Sequence, residues 1–388
     1  MQTGTATISN KAVDRLQAGH LWIYRSDMVS CDSSPGAIVS LVDEKKRFWG
    51  KAFFSSSSLI SLRLLTREDR SIDQGFWASR IEQAMRLRQQ VVSGTEVYRL
   101  VNGEGDGLPS IIVDRYGDLL CLQTLSQGAD ALKSLLVEVL VELFQPGCIF
   151  ERNDTRIREL EGLTLLSGAL YGKAAQEIIC RENGLRFCFQ PESGQKTGGF
   201  LDQRENRLEA QKVGRGRALD CFSYHGAFAL HLARSCESVE AVDISETAIQ
   251  QARRNAALNA INNIQFEAEN AFDRLRLLDN LKRRFDTIIL DPPAFAKNKS
   301  HITSALRGYK EINLRALRLL NPGGFLITAT CSQHVEEAMF LNILAEAAAD
   351  AGRKVQILQK RTQAQDHPFL LSMPETLYLK CIFLRVID

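Results

Sequence analysis

Apolar residues in the second half of the chain form short runs that alternate with longer amphipathic stretches. The runs predict strands at Ala218–Cys221, Val239–Asp243, Ile264–Ala268, Thr287–Leu290, Phe325–Thr330, Val355–Leu358 and Leu377–Leu384. Helical spacing between them predicts helices at about Ala227–Ser235, Glu246–Leu258, Ala305–Leu320 and Val335–Ala351. This alternation is typical of a parallel sheet covered by helices on both faces. We therefore predict a doubly wound, Rossmann-like α/β domain over residues 191–388.

Residues 1–70 show a different pattern, in which turn signals separate short strand-like runs. The runs are Ala6–Ile8, Ala37–Val42, Phe48–Phe54 and Ser61–Leu65. They predict a small β-barrel. The basic residues Lys11 and Arg15 lie near the aromatic residues His20 and Trp22, which suits contact with an RNA backbone. Core aromatics beside a solvated surface explain this segment equally well.

A third segment, residues 71–190, combines helices with hairpins and carries no chemically distinctive cluster. The pattern predicts a helix over residues 71–95, a hairpin of Ser110–Val113 with Leu119–Thr124, an amphipathic helix over Ala129–Phe144, and a hairpin through Ile178–Phe189. We expect this central α+β module to have a positioning role. The sequence thus predicts three domains, at residues 1–70, 71–190 and 191–388.

Bulk properties narrow the class of protein without fixing its partners. The chain has 388 residues, 45% of them hydrophobic and 24% charged, which are ordinary globular values. No apolar run approaches the roughly 20 residues that cross a bilayer, and the polar stretch Met1–Asn10 has no signal-peptide character. The nine cysteines contain no C-x-x-C pair, which argues against a zinc site, any other metal site of that kind, or a disulfide framework. We expect a reducing, cytoplasmic location. The net charge of +2 neither indicates nor excludes nucleic acid.

Two predicted strands end in residues that carry chemistry. Asp291 follows the run Phe285–Leu290, and Cys331 follows Gly324–Thr330. Because ligands in such sheets bind beyond the carboxyl ends of the strands, we expect an acid and a nucleophile near one pocket. The prolines of Asp291–Pro293 fix the backbone beside the acid. This pairing suggests a methyltransferase.

Cys331 is the residue that distinguishes the possible reactions. Carbon five of a pyrimidine base is too weak a nucleophile to attack the methyl group of a sulfonium methyl donor directly. A thiolate that adds at carbon six of the same ring makes carbon five a stronger nucleophile. A helix that begins after Cys331 would lower the pKa of the thiol. Asp291 can hydrogen-bond a ring nitrogen of the base, and Phe295 offers a stacking face. A packed core cysteine remains the alternative interpretation.

The first strand of the α/β domain indicates the cofactor. It leads into a loop with a single glycine, Gly226, and Asp243 lies 17 residues further on, where an acid accepts hydrogen bonds from ribose hydroxyls. A dinucleotide would require G-x-G-x-x-G, so S-adenosylmethionine fits better. The candidate cofactor residues are Lys196, Thr197, Phe200, Gln203, Arg204, Asp220, Phe222, Ser223, Tyr224, Gly226, Asp243, Ile244, Asn270, Ala271, Asp291 and Pro292.

Polar and aromatic residues near the expected pocket are further candidates for binding RNA. They are Arg307, Tyr309, Lys310 and His367, in addition to Lys11, Arg15, His20 and Trp22. We expect the group Arg307–Lys310 to contact the RNA backbone. A homodimer is compatible with the sequence.

Nearly end to end, the chain resembles the bacterial large-subunit ribosomal RNA cytosine-5 methyltransferases with an N-terminal PUA domain. The segments that carry the resemblance are Gly19–Ile23, Leu100–Glu104, Gly107–Pro109, Ile111–Gly117, Gln195–Gly198, Phe200–Arg204, Asp220–Tyr224, Asp291–Pro293, Arg307–Lys310, Thr330–Ser332 and Asp366–Pro368. The resemblance implies a PUA domain, a central module, a class I methyltransferase domain and large-subunit ribosomal RNA as the partner. It also implies the roles suggested above for Asp291 and Cys331.

Two other functions stay open at this point. A related guanine-N7 branch shares Asp291–Pro293 but lacks the cysteine of the second strand end, so a cysteine-independent methyltransferase acting on guanine or on another substrate is the alternative. A non-catalytic RNA-binding module that holds the cofactor structurally is the third possibility.

Overall fold

The computed structural model describes residues 4–192, 198–296 and 301–388. The chain divides into two compact units. The first unit comprises residues 1–180, 189–201 and 365–376, and the second comprises residues 181–188, 202–364 and 377–388. The three-domain division expected from the sequence stays a prediction.

The N-terminal part of the first unit is built on a six-stranded sheet. Its elements are β1 (Thr5–Ile8), α1 (Asn10–Gln17), β2 (Trp22–Tyr24), β3 (Met28–Cys31), β4 (Ile38–Asp43), β5 (Phe48–Phe54) and β6 (Ile60–Thr66). The strand order is β2-β6-β5-β4-β1-β3, and β1 runs parallel to β4. The helix α1 buries Leu16 in a core that also contains Ile8, Ile23 and Leu41. All four predicted runs form strands here.

A five-stranded sheet follows in the same unit. Its elements are α2 (Gln74–Val91), β7 (Val97–Asn102), β8 (Ile111–Tyr116), β9 (Leu119–Thr124), α3 (Gln127–Ala131), α4 (Lys133–Phe144), β10 (Cys148–Asn153) and β11 (Leu166–Gly172). The order is β11-β10-β9-β8-β7, and the predicted hairpin is the antiparallel pair β8–β9. The single helix predicted over Ala129–Phe144 is wrong. The helix starts earlier, because Ser126 caps α3, and the backbone breaks at Leu132 before α4.

The remaining elements include a two-stranded sheet and the large sheet of the second unit. They are β12 (Ile178–Glu182), β13 (Leu185–Phe189), α5 (Arg204–Val213), β14 (Arg217–Cys221), α6 (Ala227–Leu232), β15 (Ser238–Asp243), α7 (Glu246–Leu258), β16 (Ile264–Ala268), α8 (Ala271–Asn280), β17 (Phe285–Leu290), α9 (Ile302–Leu319), β18 (Leu320–Thr330), α10 (Glu337–Ala351), β19 (Val355–Arg361) and β20 (Lys380–Val386). The two-stranded sheet pairs β12 with β13. The helix α8, which Asn270 caps, was not expected from the sequence.

The large sheet has the order β16-β15-β14-β17-β18-β20-β19. The strands run parallel except β20, which is antiparallel to both β18 and β19. The predicted doubly wound sheet is therefore present, with one antiparallel strand, β20, near its edge. Two adjacent parallel strands are normally joined through a crossover helix. Within the described residues the connection from β19 to the antiparallel β20 contains instead a short 3-10 turn, Pro374–Thr376.

The strand order reverses between β14 and β17, and this switch point positions the site. Cys221 at the end of β14 pairs with Leu290 at the end of β17, and Leu290 pairs with Thr328 of β18. The residues that follow these three strands therefore emerge at one edge of the sheet, where ligands of such sheets bind. Among the described residues, none of the helices is long and apolar enough to cross a membrane.

Candidate functional site

The loop after β14 has a strained backbone. Phe222, Tyr224 and Gly226 have φ angles of 66°, 50° and 83°. Left-handed conformations are uncommon for residues other than glycine, and two such residues within three positions are the kind of strain that functional loops store. The loop is held in place because Ser223 donates its N–H to the carbonyl of Val242 over 3.0 Å.

Three carboxylates surround this loop. Asp220 is fully buried and accepts a 2.6 Å hydrogen bond from the Ser223 hydroxyl. Burial raises the pKa of Asp220 to about 7; the Ser223 hydroxyl opposes the shift, whereas the charges of Asp291 and Asp243 add to it. Its Oδ1 atom accepts no well-aligned hydrogen bond from the described residues. The backbone N–H of Ala229 also lowers the pKa of Asp220. A buried acidic oxygen without a well-aligned donor among the described residues fits a cationic ligand, and S-adenosylmethionine carries an ammonium and a sulfonium.

Asp243 and its neighbour Ile244 form the rim at the end of β15. Oδ2 of Asp243 accepts from the N–H of Tyr224 and Oδ1 from the N–H of Ser245, both over 2.9 Å. Each carboxylate oxygen has a second lone pair, so Asp243 retains the capacity to hold ribose hydroxyls. Ile244 is 73% exposed, an open apolar surface that suits an adenine ring.

The predicted residues at the end of β16 have mainly structural contacts. The Oδ1 atom of Asn270 caps α8 by accepting from the N–H of Phe272 over 2.9 Å, and Ala271 is buried in the core of the second unit. Their expected contact with the cofactor stays a prediction.

Asp291 is held by a chain of hydrogen bonds that links β19, α5 and the residue before α5. The buried side chain of Gln203 donates from Nε2 to Oδ1 of Asp291 over 2.9 Å. Asn206 donates to Oε1 of Gln203 over 2.7 Å, and Arg361 donates to Oδ1 of Asn206 over 2.8 Å. The sequence singled out Gln203 and Asp291 but missed Asn206 and Arg361, since nothing in their local sequence indicates this contact.

A second network fixes the backbone around Cys331. Thr330 donates to the hydroxyl of the buried Tyr309 over 2.7 Å, and that hydroxyl lies 2.9 Å from Oγ of Ser332. Oγ of Ser332 also accepts from the N–H of Ala296 over 3.3 Å. The residues on either side of Cys331 are therefore tied to α9 and to the segment after β17. Cys331 itself is half-buried.

The other predicted cofactor residues occupy several environments. Arg204 is buried beside Glu205 at 3.5 Å, and Pro292 is also buried. Phe200 belongs to the first unit. Lys196 and Thr197 lie outside the described residues.

The N-terminal RNA candidates have partners within the first unit. Arg15 donates to Oδ2 of Asp27 over 2.8 Å, and Lys11 lies 3.7 Å from Oδ1 of the same carboxylate. His20 is buried with Nε2 at 3.4 Å from Glu375. Trp22 donates its indole N–H to Glu104 over 2.8 Å. These contacts stabilise the fold of the unit, and any role in RNA binding stays a prediction.

The remaining RNA candidates differ sharply in exposure. Arg307 is exposed on α9. Lys310 lies 3.0 Å from both Glu346 and Asp350. Tyr309 and His367 are fully buried, which is not the position that direct contact with RNA requires. Within the structure Tyr309 supports the Cys331 segment, and Nδ1 of His367 lies 3.1 Å from Asp366. A role of either residue in RNA binding stays a prediction.

Lys380, the first residue of β20, was not predicted from the sequence to lie near the site. Its Nζ lies 3.4 Å from the carbonyl oxygen of Ser332. The signal that would have identified it is a charged residue in the otherwise apolar run Leu379–Leu384.

Comparison with known proteins agrees with this geometry. The family described as PUA-like domain matches residues 6–67, and the family described as S-adenosylmethionine-dependent methyltransferase matches residues 162–369. The protein named ribosomal RNA large subunit methyltransferase I from Shewanella amazonensis is 40% identical over 97% of both chains. The protein of the same name from Erwinia tasmaniensis is 38% identical over 95% of this chain and 96% of its own.

Solved structures confirm the fold. A methyltransferase solved in complex with S-adenosylhomocysteine has a TM-score of 0.87 at 21% identity, and covers 98% of this chain and 100% of its own. A second structure, of an S-adenosylmethionine-dependent methyltransferase from Streptococcus mutans, has a TM-score of 0.84 at 20% identity with the same coverage. The expected class I methyltransferase fold with a PUA-like domain is confirmed. The chain therefore belongs to the S-adenosylmethionine-dependent methyltransferases, in the family named ribosomal RNA large subunit methyltransferase I.

Proposed function

We propose that this protein methylates carbon five of a cytosine in large-subunit ribosomal RNA through a covalent adduct with Cys331. The observation that carries the proposal is the placement of a half-buried thiol directly after β18, beside β17, the strand that Asp291 follows. The names of the relatives support the RNA substrate. The PUA-like match at residues 6–67 supports it as well.

The thiolate of Cys331 performs the first step by forming a bond to carbon six of the cytosine. The electron pair of the double bond between carbons five and six then becomes available at carbon five, which takes up the methyl group. The cofactor supplies that group on a positively charged sulfur, which is left as a neutral thioether. A base then removes the proton from carbon five, and the returning electron pair expels the Cys331 thiolate and restores the double bond.

Other side chains hold the reactants in this scheme. Asp220 and Asp243 provide negative charge and hydrogen-bond acceptors for the cofactor, and Asp291 faces the reacting base from the end of β17. The cytosine must leave a base stack or already be unpaired, at a cost of about a few kcal/mol. The exposed guanidinium of Arg307 on α9 is the best-placed of the candidate cations on this unit to bind an RNA phosphate.

The decisive experiment compares Cys331→Ala with Cys31→Ala, because both cysteines are half-buried and only Cys331 lies at the proposed site. Cys331→Ala should lose methyl transfer to RNA while cofactor affinity persists, and Cys31→Ala should retain transfer. The same assay with 5-fluorocytosine RNA should give a covalent adduct with the wild type and with Cys31→Ala, and none with Cys331→Ala. Near-normal turnover of Cys331→Ala would exclude the covalent mechanism.

Mapping the methyl group on the product nucleosides tests the base separately. Methylated cytosine supports the proposal. Methylated guanine, together with unimpaired Cys331→Ala, would establish the cysteine-independent alternative. Absence of any transfer to RNA from a protein that binds the cofactor would indicate a binding module.

A further inference from the structure

Lys380 is an unusual residue in the interior of the large sheet. It is the first residue of β20 and pairs directly with Thr330, the last residue of β18. Cys331 follows Thr330 immediately, so the pairing brings Lys380 to the level of the proposed nucleophile. Lys380 is only 7% exposed.

The ammonium of Lys380 contacts carbonyl oxygens and no carboxylate within the described parts of the chain. Its Nζ lies 3.4 Å from the carbonyl oxygens of Ser332 and Tyr378. Both distances exceed the usual range of about 2.7–3.2 Å for an N–H···O hydrogen bond. A buried ammonium with such weak compensation is costly, and residues of this kind are candidates for a functional role.

Several groups that can carry negative charge face Lys380. Burial lowers the pKa of Lys380, and the Cys331 thiol, followed by Glu336 and Glu337, opposes the shift. Glu337 is already paired with Lys360 at 2.7 Å. The hydroxyl of Tyr309 also lies in the field of Cys331, but burial raises the pKa of Tyr309 and keeps it neutral. Cys331 is therefore the strongest anionic counterpart available to Lys380 in this region.

We propose that Lys380 is a positioning residue that holds Cys331 in its thiolate form before the substrate arrives. The ammonium stabilises the thiolate in the free enzyme, and does so again when the thiolate is expelled from carbon six. A neighbouring cation is an established means of favouring a thiolate over a thiol. The inference rests on the proposed function, since it acts through the Cys331 nucleophile. Its test needs no RNA.

The test measures the alkylation rate of Cys331 by iodoacetamide as a function of pH, with peptide mass spectrometry of the full chain. In the wild type, the midpoint should lie clearly below the ordinary cysteine value of about 8.5. Lys380→Met should raise the midpoint by about one pH unit or more and slow alkylation at pH 7 by about tenfold. Lys380→Arg, which keeps the charge, should retain most of the wild-type rate. Cys31, half-buried in the first unit, is the internal control.

The outcomes separate this inference from the proposed function. An unchanged alkylation profile in Lys380→Met that still binds the cofactor would overturn the role of Lys380, even if Cys331 proves essential for turnover. A shifted alkylation profile in Lys380→Met, together with methylation of guanine by the wild type, would support the interaction of Lys380 with Cys331 and exclude the proposed methylation of cytosine. If Lys380→Met does not fold, the alkylation profile of the wild type tests the inference. An alkylation midpoint at or above about pH 8.5 would contradict it.

Discussion

Gln203 donates a hydrogen bond from its side-chain amide to the carboxylate of Asp291 over 2.9 Å. Asn206 fixes the orientation of that amide by donating to its oxygen over 2.7 Å. Arg361, which is always charged, donates to Asn206 in turn. This relay directs a hydrogen-bond donor at Asp291, at the site where the cofactor and the base are proposed to meet.

Gln203→Leu removes the donor while it keeps a similar volume. We expect the rate of single-turnover methyl transfer to fall by about tenfold, because Asp291 loses a contact that helps to orient it. The free energy of unfolding should fall by about 1–3 kcal/mol. Gln265→Leu is the matched control, since Gln265 also donates to a carboxylate, that of Glu267 over 2.6 Å, and contacts no member of the relay within the described residues. A transfer rate in Gln203→Leu equal to that of the control would refute the orienting role.

The relay shows why the sequence revealed only part of the site. Asp291 and Cys331 were predictable because each directly follows an apolar run, and strand ends meet at one edge of such a sheet. Asn206 and Arg361 touch across 155 positions of the chain, and no local pattern encodes that contact. Lys380 became visible once β20 was known to run antiparallel beside β18, a direction that hydrophobic spacing does not specify. Tyr309 was grouped with Arg307 and Lys310 as a candidate RNA contact, whereas α9 places its side chain in the core.

Gly226 supports the cofactor loop through both its conformation and its lack of a side chain. At φ +83°, an added Cβ would lie 2.9 Å from Cδ1 of Leu230 and 3.0 Å from Cβ of Ala252. Gly226→Ala should therefore destabilise the protein by about 2–4 kcal/mol and weaken cofactor binding.

Gly352→Ala separates the effect of a left-handed backbone from the effect of crowding around the added Cβ. Gly352 also has a left-handed backbone, at φ +65°, but an added Cβ would meet no atom within 4 Å. Gly352→Ala should lower the free energy of unfolding by about 1–2 kcal/mol and leave the cofactor affinity unchanged. Thermal unfolding measures the first quantity and calorimetric titration the second. Equal losses in both variants would show that crowding at Gly226 is unimportant.

Asp220 should make stability depend on pH. Burial raises its pKa to about 7, above the ordinary value of about 3.9, so the folded state holds a proton that the unfolded state releases. Its contribution is fully present below about pH 4 and is lost as the pH rises to about 7. Relative to Asp220→Asn, the free energy of unfolding of the wild type should fall by up to about 4 kcal/mol between about pH 4 and pH 7. Urea unfolding at several pH values measures this.

The same ionisation should strengthen the binding of a cationic cofactor. The affinity of the wild type for S-adenosylmethionine should rise between about pH 6 and 8, as Asp220 becomes charged, whereas Asp220→Asn should show a flatter profile. Asp273→Asn is the control, because Asp273 is exposed on α8 and pairs only loosely with Arg276, at 3.4 Å. Parallel pH profiles for all three proteins would contradict a role for Asp220 in binding charge.

Arg307 and Lys310 lie one helical turn apart on α9 and should contribute unequally to RNA binding. Lys310 lies 3.0 Å from both Glu346 and Asp350, and these hydrogen bonds raise the pKa of Lys310. Arg307 is exposed and forms no ion pair within the described residues. Its charge is thus more available to a phosphate, whereas that of Lys310 is largely compensated.

Arg307→Ala should lower the affinity for ribosomal RNA by about fivefold at low salt and reduce the slope of log affinity against log salt concentration by about 0.7–0.9. Lys310→Ala should change both quantities much less, because the two acids already neutralise the lysine. Filter binding at several salt concentrations measures both. An equal loss in the two variants would show that RNA displaces the acids from Lys310. An unchanged slope in Arg307→Ala would exclude a phosphate contact there, and RNA binding would then have to depend on other cations of the chain.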